Sequence, residues 1–153
     1  LIRRQRQMCI RDSIHIVEDQ EINDLTKSVR FAHRSGEQEV LILGATGLRE
    51  DHTLGNISLL MDYAPLFRRI EMLSDYGIFT PLRQTTTLAS DPGTQVSLFS
   101  LAPSGTISTT GLRWPIRDRR LTAWWQGTLN EATGDNFTVA LSPEARVIVY
   151  RTF

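Results

Sequence analysis

The stretch that decides the fold runs from residue 44 to residue 56 and reads Gly44-Ala45-Thr46-Gly47-Leu48-Arg49-Glu50-Asp51-His52-Thr53-Leu54-Gly55-Asn56. The apolar run at 40–43 precedes it and is typical of a strand buried on both faces. Apolar residues then recur at helical spacing as far as Pro65, at Leu54, Ile57, Leu60, Met61 and Ala64. We therefore expect a loop between a strand and a helix, where open α/β sheets bind their ligands.

Composition excludes several classes of protein. The chain has 153 residues, of which 41% are hydrophobic, and its 17 basic residues balance its 17 acidic ones. Neither a nucleic-acid partner nor an anionic membrane is therefore expected. No apolar run has the length that spans a bilayer. A single cysteine, Cys9, excludes an internal disulfide and a multi-cysteine zinc site, so a cytoplasmic setting is expected.

The first half of the chain alternates between strand and helix patterns. Strands are predicted at 14–17, 40–43 and 70–73, and helices at 25–32 and 53–64. Asn23 or Asp24 is expected to cap the first helix, and Ser35-Gly36 to end it. This order predicts a parallel α/β unit over residues 14–76. Residues 1–13 have no clear period and are interpreted as a non-native or disordered segment.

The second half changes to short segments rich in Thr, Val, Phe and Trp, separated by turn residues. They lie near 78–88, 95–101, 106–113, 120–129, 136–141 and 146–152. No further helix is predicted. Residues 77–153 are therefore expected to form an antiparallel β-sandwich or partly closed barrel. The fold class is thus a truncated α/β unit followed by an all-β unit.

Two loops carry side chains that could bind a metal or a charged ligand. The first holds Asp19, Gln20, Asn23, Asp24 and Lys27, and the second holds Arg49, Asp51 and His52. Carboxylates from two neighbouring loops, with an arginine and a lysine, suit a complex of Mg²⁺ with a polyphosphate. Taken singly, Asp24 could be only a helix cap, and Arg49 with Glu50 only a solvated loop pair.

The joint pattern resembles thiamine pyrophosphokinase of the bacterial type. That family usually shows Asp-Gln-Asp-x-Thr-Asp-x-x-Lys, followed by Gly-Gly-x-x-Gly-Arg-x-Asp-His. The residues that match are Asp19, Gln20, Asp24, Lys27, Gly47, Arg49, Asp51, His52 and Asn56. Glu21 and Asn23 are conservative departures, and Leu48 is an additional residue in the glycine loop.

The resemblance continues into the β half, where the family binds thiamine. The segment 108–115 resembles its Thr-x-Gly-Leu-Lys-Trp segment. Thr128, Leu129 and Asn130 resemble a loop that usually contains Ser-Asn, with Leu129 in place of the serine. The resemblance therefore implies one fewer polar contact to thiamine, at Leu129, while Asn130 is retained.

The resemblance implies transfer of pyrophosphate from ATP to thiamine, giving thiamine diphosphate and AMP. Asp24 and Asp51 would bind Mg²⁺, and Arg49 would stabilise charge on the phosphates. Gln20, Asn23 and Lys27 would contact the phosphates or orient their loop, and His52 would support the second loop. Thr128, Leu129 and Asn130 would bind thiamine. The resemblance also implies a homodimer, with sites between the α/β unit of one subunit and the β unit of the other.

The family's earlier motif, Gly-Asp-x-Asp-Ser, does not occur in this sequence. We therefore expect an N-terminally truncated fragment with reduced or no activity alone. One alternative is a non-catalytic module that binds thiamine or mediates dimerisation. Another is a related nucleotide-dependent transferase with a different acceptor alcohol.

Two further clusters of residues are interpreted mainly as structural or surface residues. Trp124 and Trp125 are expected on opposite faces of a strand, so at most one could reach a given pocket. Arg117, Arg119 and Arg120 are interpreted as solvated surface rather than as a second phosphate site. His15 and His33 are assigned no role.

Overall fold

The structure is a computed structural model, and it describes residues 21–153. The segment 1–13, the strand expected at 14–17, and Asp19 and Gln20 lie outside the described residues. The helices are α1 (Asp24–Arg34) and α2 (Glu50–Tyr63), with 3-10 turns at Ala64–Leu66 and Trp124–Gly127. The strands are β1 (Glu39–Ile42), β2 (Arg69–Leu73), β3 (Gly77–Leu82), β4 (Thr86–Ala89), β5 (Gln95–Ser100), β6 (Ile107–Thr110), β7 (Asn130–Glu131), β8 (Asn136–Leu141) and β9 (Val147–Thr152).

Helix α1 forms where the sequence predicts it, because its end signals are local. The side chain of Asn23 accepts a hydrogen bond from the Thr26 amide at 2.8 Å, so Asn23 is the cap and Asp24 the first helical residue. At the other end, the Ser35 amide donates to the Phe31 carbonyl at 3.0 Å. Gly36 follows with φ +85°. The predicted cap and glycine stop are both confirmed.

Helix α2 begins three residues earlier than predicted, at Glu50. Glu50 and Asp51 occupy its first turn, where carboxylates interact favourably with the helix dipole. The Thr53 amide donates to the Arg49 carbonyl at 3.0 Å, which closes that turn. Asp51 and His52 therefore lie on the helix itself, and only Arg49 remains outside it.

A six-stranded sheet runs through the predicted junction between the two units. Its strand order is β1-β2-β3-β9-β5-β7. β1 and β2 pair in parallel, and every other pair in this sheet is antiparallel. β2 joins β3 through the residue pairs Met72–Phe79 and Leu73–Ile78. The α/β part thus contributes the first two strands of a mixed sheet, and the fold class is confirmed.

The second sheet is antiparallel, with strand order β4-β8-β6. It packs against the larger sheet through a core to which Leu98 and Val149 contribute from one side and Phe137 and Val139 from the other. Across the described residues the two sheets remain separate, so this half is a sandwich and not a closed barrel.

A second core lies where α1 and α2 cover one face of the larger sheet. Val29 and Leu60 of the helices pack there with Met72 of β2 and Ile148 of β9. Because Ile148 belongs to the β half, this core also crosses the predicted junction. No helix in the part of the chain described by the structure is long and apolar enough to cross a membrane.

The expectation that the 40–43 strand is buried on both faces is wrong. Among residues 21–153, β1 lies at the edge of the sheet, and only the face that carries Ile42 is covered. Leu41 and Leu43, on the other face, are 53% and 64% exposed. An apolar run can predict a strand, but whether each face is buried depends on which helices or sheets pack against it.

The strand expected over 120–129 is also wrong. Residues 124–127 form a 3-10 turn because the Gln126 side-chain carbonyl accepts hydrogen bonds from the amides of Thr122 (2.8 Å) and Ala123 (3.1 Å). The turn lies so close to β5 that a Cβ atom at Gly127 would overlap the Leu98 carbonyl oxygen. Trp124 and Trp125 therefore lie in a turn, and the alternation of side chains expected along a strand does not apply to them.

A polar network inside the larger sheet links its strands. The carboxylate of Glu71 on β2 accepts a hydrogen bond from Thr80 on β3 at 2.8 Å and pairs with Arg69 at 2.6 Å. Arg151 on β9 lies 3.5 Å from the same carboxylate and donates to the Ala89 carbonyl of β4 at 2.7 Å. Both side chains of the Glu71–Arg151 pair are largely buried.

Replacing Glu71 by Ala should lower the free energy of unfolding by about 3 kcal/mol, because it leaves the shielded Arg151 guanidinium without a counter-charge. Urea denaturation measures the change. Glu39→Ala is the matched control, because it breaks the exposed Glu39–Arg68 pair and should cost less than about 1 kcal/mol. Equal losses in the two variants would contradict the role given to the network.

Candidate functional site

The glycine loop after β1 is held in a fixed shape by the helix that follows it. Gly44 and Gly47 have φ values of +68° and +103°, which residues with a Cβ atom rarely adopt. The Asn56 side chain donates to the Ala45 carbonyl at 2.8 Å. The loop backbone is therefore anchored to α2 at the position where the family motif places an asparagine.

Arg49 and Asp51 form a two-pronged ion pair at the start of α2. The Arg49 Nε and Nη2 atoms lie 3.0 and 2.5 Å from the two carboxylate oxygens of Asp51. The amide of His52 also donates to this carboxylate, at 2.9 Å. The hydrogen bond from Arg49, followed by that of the His52 amide, holds the pKa of Asp51 below its ordinary value. Both side chains are exposed and so are accessible to a ligand.

The residues of the first loop that the structure describes lie on and before α1. Asn23 is occupied as the helix cap, as described above. Asp24 is fully open to solvent and forms a 3.3 Å ion pair with Lys27, whose side chain is only 22% exposed. Each loop thus presents a carboxylate paired with a cation.

The described residues do not bring the two loops into contact. α1 and α2 are linked by a hydrogen bond of 2.5 Å between the hydroxyls of Thr26 and Tyr63. Tyr63 is the last residue of α2, about 20 Å along the helix from Glu50 at 1.5 Å per residue. Within residues 21–153 no hydrogen bond or ion pair joins Asp24 or Lys27 to Arg49 or Asp51. Nor does that range contain a group of three or more side chains able to hold a metal.

A second candidate region is a cavity of about 270 Å³ in the β half, here called the Trp114 cavity. It is lined by Trp114, Pro115, Ile116, Arg117, Arg119, Gln126, Gly127, Thr128, Leu129 and Asn130. The three residues predicted to bind thiamine therefore lie together on one cavity wall. Neither Trp124 nor Trp125 lines it.

Asn130 shapes the Trp114 cavity rather than facing it freely. Its side-chain amide donates to the Trp114 carbonyl at 2.7 Å, and its side-chain carbonyl accepts from the Trp114 amide at 3.1 Å. The residue is buried, so these two bonds fix the backbone from which the Trp114 ring projects. The half-exposed ring has the Arg113 guanidinium 5.1 Å from its centre.

Leu129 is an unusual residue on the cavity wall. Its φ of +60° is in the left-handed region, which costs a residue with a Cβ atom about 1–2 kcal/mol. Its side chain is 78% exposed and offers no hydrogen-bonding group. Such strain is often found at functional sites.

Sequence reasoning missed Gln126, Arg117 and Arg119 as cavity residues. The two arginines are exposed, as expected, but they also line the Trp114 cavity. The available signal was the position of these arginines, three and five residues after Trp114. A larger cavity of about 700 Å³ lies at the opposite ends of β1 and β2, near Glu39, Arg69 and Arg83, and is lined by no predicted site residue.

The fold and these two regions define a class of protein in which an α/β unit with a glycine loop continues into a β-sandwich with its own cavity. The thiamin pyrophosphokinase catalytic domain matches residues 3–73, and the thiamin pyrophosphokinase substrate-binding domain matches residues 77–150. The chain belongs to the thiamine pyrophosphokinase family. The catalytic-domain match includes part of the segment 1–13, whose nature stays a prediction.

Related sequences support the same assignment. The chain is 38% identical over 110 residues to thiamine pyrophosphokinase 1 of Oryza sativa subsp. japonica, covering 64% of this chain and 41% of that protein. It is 33% identical over 115 residues to thiamine pyrophosphokinase 2 of the same plant, covering 67% and 42%. The chain thus spans about two fifths of the length of these curated relatives.

Solved structures show the same fold. Thiamine pyrophosphokinase from Bacillus subtilis superposes with a TM-score of 0.76 at 20% identity, over 88% of this chain and 64% of that one. The enzyme from Geobacillus thermodenitrificans gives 0.74 at 24% identity, over 88% and 63%.

Removing the Arg49 guanidinium should raise the pKa of Asp51 toward its ordinary value, because its largest stabilising hydrogen bonds would be lost. In Arg49→Gln, Asp51 should therefore take up its proton at a higher pH than in the wild type. Carbon-detected NMR titration of the carboxyl groups measures this. Arg68→Gln, which removes an exposed arginine elsewhere, should leave the Asp51 titration unchanged, and an unshifted Asp51 in Arg49→Gln would contradict the assignment.

Proposed function

We propose that this protein is a thiamine diphosphokinase, which transfers pyrophosphate from ATP to thiamine. The observation that carries the proposal is that both domains of the family occur in order along the chain, at 3–73 and 77–150. In the reaction, the hydroxyethyl oxygen of thiamine bonds to the β-phosphorus of ATP. The bond from that phosphorus to the bridging oxygen of the α-phosphate breaks, AMP leaves with the oxygen, and the hydroxyl proton is released. No finding favours the alternative of a non-catalytic module.

Mg²⁺ suits the oxygen donors of the α/β part. Mg²⁺ is commonly bound through one or two carboxylates, with substrate phosphates and water completing its shell. Asp51 would hold it, and the bound ion would offset charge on the phosphates. Asp24 lies beside Thr26, which contacts the opposite end of α2, so it is not proposed as a second ligand of the same ion. Because its pKa is lowered, the Asp51 carboxylate stays ionised to a lower pH than an ordinary aspartate.

The basic residues of the same loops would position the phosphate chain. Arg49 can exchange its two-pronged pair with Asp51 for a phosphate, since both groups present paired oxygens to the guanidinium fork. Lys27 pairs with Asp24 and, like Gln20 and Asn23, is proposed to orient the first loop. His52 donates its amide to Asp51, which supports a positioning role.

Thiamine would bind in the Trp114 cavity. Its thiazolium ring is a cation, and an aromatic face such as that of Trp114 attracts cations. Thr128, Leu129 and Asn130 line the same cavity, with Asn130 acting through the backbone of Trp114. Leu129 can contribute only apolar contact.

The sheet order supports a homodimeric site. The glycine loop follows β1, at one edge of the six-stranded sheet, and the Trp114 cavity adjoins β7, at the other edge. Five strand spacings separate these edges, about 24 Å along the sheet. Reacting atoms must approach to about 3–3.5 Å. We therefore propose that the loop of one subunit serves the cavity of its partner.

A cytoplasmic location is proposed from the single cysteine, and the balanced charge supports the absence of a nucleic-acid partner.

In the full-length protein, replacing Asp51 by Asn should lower thiamine-dependent AMP formation at least about 100-fold, because it removes a charged ligand for the metal–phosphate complex. Chromatographic measurement of AMP and thiamine diphosphate tests this. Glu50→Gln is the control, since it neutralises the adjacent exposed carboxylate and should retain activity. ATP consumption that does not depend on thiamine, or full activity in Asp51→Asn, would refute the proposed function.

Mixing two inactive variants should restore activity if each site is shared between subunits. Asp51→Asn and Trp114→Ala chains, co-expressed with different tags, should form mixed dimers in which one site carries both changes and the other carries neither. At low thiamine concentration, equal mixing should return about a quarter of the wild-type rate. If mixed dimers form and remain as inactive as the parents, the shared site is excluded.

A further inference from the structure

The charges that line the Trp114 cavity do not match a cationic ligand alone. Among its ten lining residues, the charged side chains are Arg117 and Arg119, and none is a carboxylate. Thiamine carries a positive thiazolium ring, which two nearby guanidinium groups repel. The cavity wall is therefore suited to a ligand that also carries negative charge.

The guanidinium groups of Arg117 and Arg119 are available to such a ligand. Within residues 21–153 neither forms a hydrogen bond or an ion pair. By contrast, Arg113, which precedes Trp114, pairs with Glu131 at 3.5 Å. The donors of the two cavity arginines can therefore be used for recognition.

The backbone that carries these arginines is fixed. Thr109 of β6 exchanges hydrogen bonds with Ile116, its amide donating to the Ile116 carbonyl and its hydroxyl accepting from the Ile116 amide, both at 2.9 Å. Arg119 forms a two-way backbone bridge with Ile107, at 2.9 and 3.0 Å.

Asp118, between the two arginines, completes this turn. It has φ +42°, in the left-handed region, and its amide donates to the Ser108 hydroxyl at 2.9 Å. The two arginine Cα atoms are thus held before a ligand arrives, which lowers the entropy cost of binding.

We propose that Arg117 and Arg119 form a diphosphate-binding subsite at the rim of the Trp114 cavity. The arginine fork matches paired phosphate oxygens, so two forks suit a diphosphate group. The ligand class is a thiamine phosphate ester, with its cationic ring against Trp114 and its diphosphate against the arginines. This step rests on the proposed function, and it implies that the phosphorylated product binds more tightly than thiamine.

Calorimetric titration of the purified protein tests the subsite with thiamine, thiamine diphosphate, inorganic diphosphate and ATP as separate probes. We expect thiamine diphosphate to bind the wild type at least tenfold more tightly than thiamine. The double variant Arg117→Gln/Arg119→Gln should lose at least tenfold in affinity for thiamine diphosphate and inorganic diphosphate, with thiamine affinity unchanged or improved. Arg120→Gln, a neighbouring arginine that does not line the cavity, is the matched control and should behave as wild type.

Three results would overturn the proposal: a double variant that keeps its affinity for thiamine diphosphate, an equal loss in Arg120→Gln, or a loss seen with ATP but not with thiamine diphosphate. The last would assign the arginines to the donor nucleotide. If the wild type binds inorganic diphosphate through these arginines but never binds thiamine, the subsite stands and the proposed function fails. Thermal unfolding of each variant checks that the fold is retained.

Discussion

The pairing of β2 with β3 is the constraint on which the rest of the structure depends. It joins the parallel β1–β2 pair to an antiparallel sheet through only two residue pairs, and Glu71 strengthens the junction with contacts to Thr80 and Arg151. Met72 and Ile148 are fully buried in the core beside it. Two parts that are matched as separate domains of a family are therefore one sheet, with a hydrophobic core that neither part completes alone.

This continuity determines where the two candidate regions lie. The glycine loop follows β1 and the Trp114 cavity adjoins β7, at opposite edges of the same six-stranded sheet. The distance between them is therefore set by strand spacing. Loop movement of a few ångströms would not close such a gap. In the proposed homodimer, the glycine loop of one subunit would meet the Trp114 cavity of the other without any change in the sheet.

How well the sequence predicts each element depends on whether the residues that determine it are close together in the chain. The Asn23 cap and the Gly36 stop are determined within a few residues of the chain, and both were predictable. The 3-10 turn at Trp124 depends on a side-chain cap by Gln126 and on close approach to Leu98, which no periodicity reveals. The exposure of Leu41 and the place of Arg117 on a cavity wall depend on tertiary packing. The motif residues of the two loops were recognised as a set, but their spatial relation could not be read from spacing.

The Arg49–Asp51 pair has a consequence for which ligands can occupy the glycine loop. A free phosphate would attract Arg49 but leave the Asp51 carboxylate facing an anion. A bare cation would attract Asp51 but leave Arg49 without its partner. A metal ion already bound to phosphate satisfies both groups at once, since each exchanges one oppositely charged partner for another. In the proposed function, the pair would therefore favour a metal–phosphate complex over a free phosphate or a bare cation.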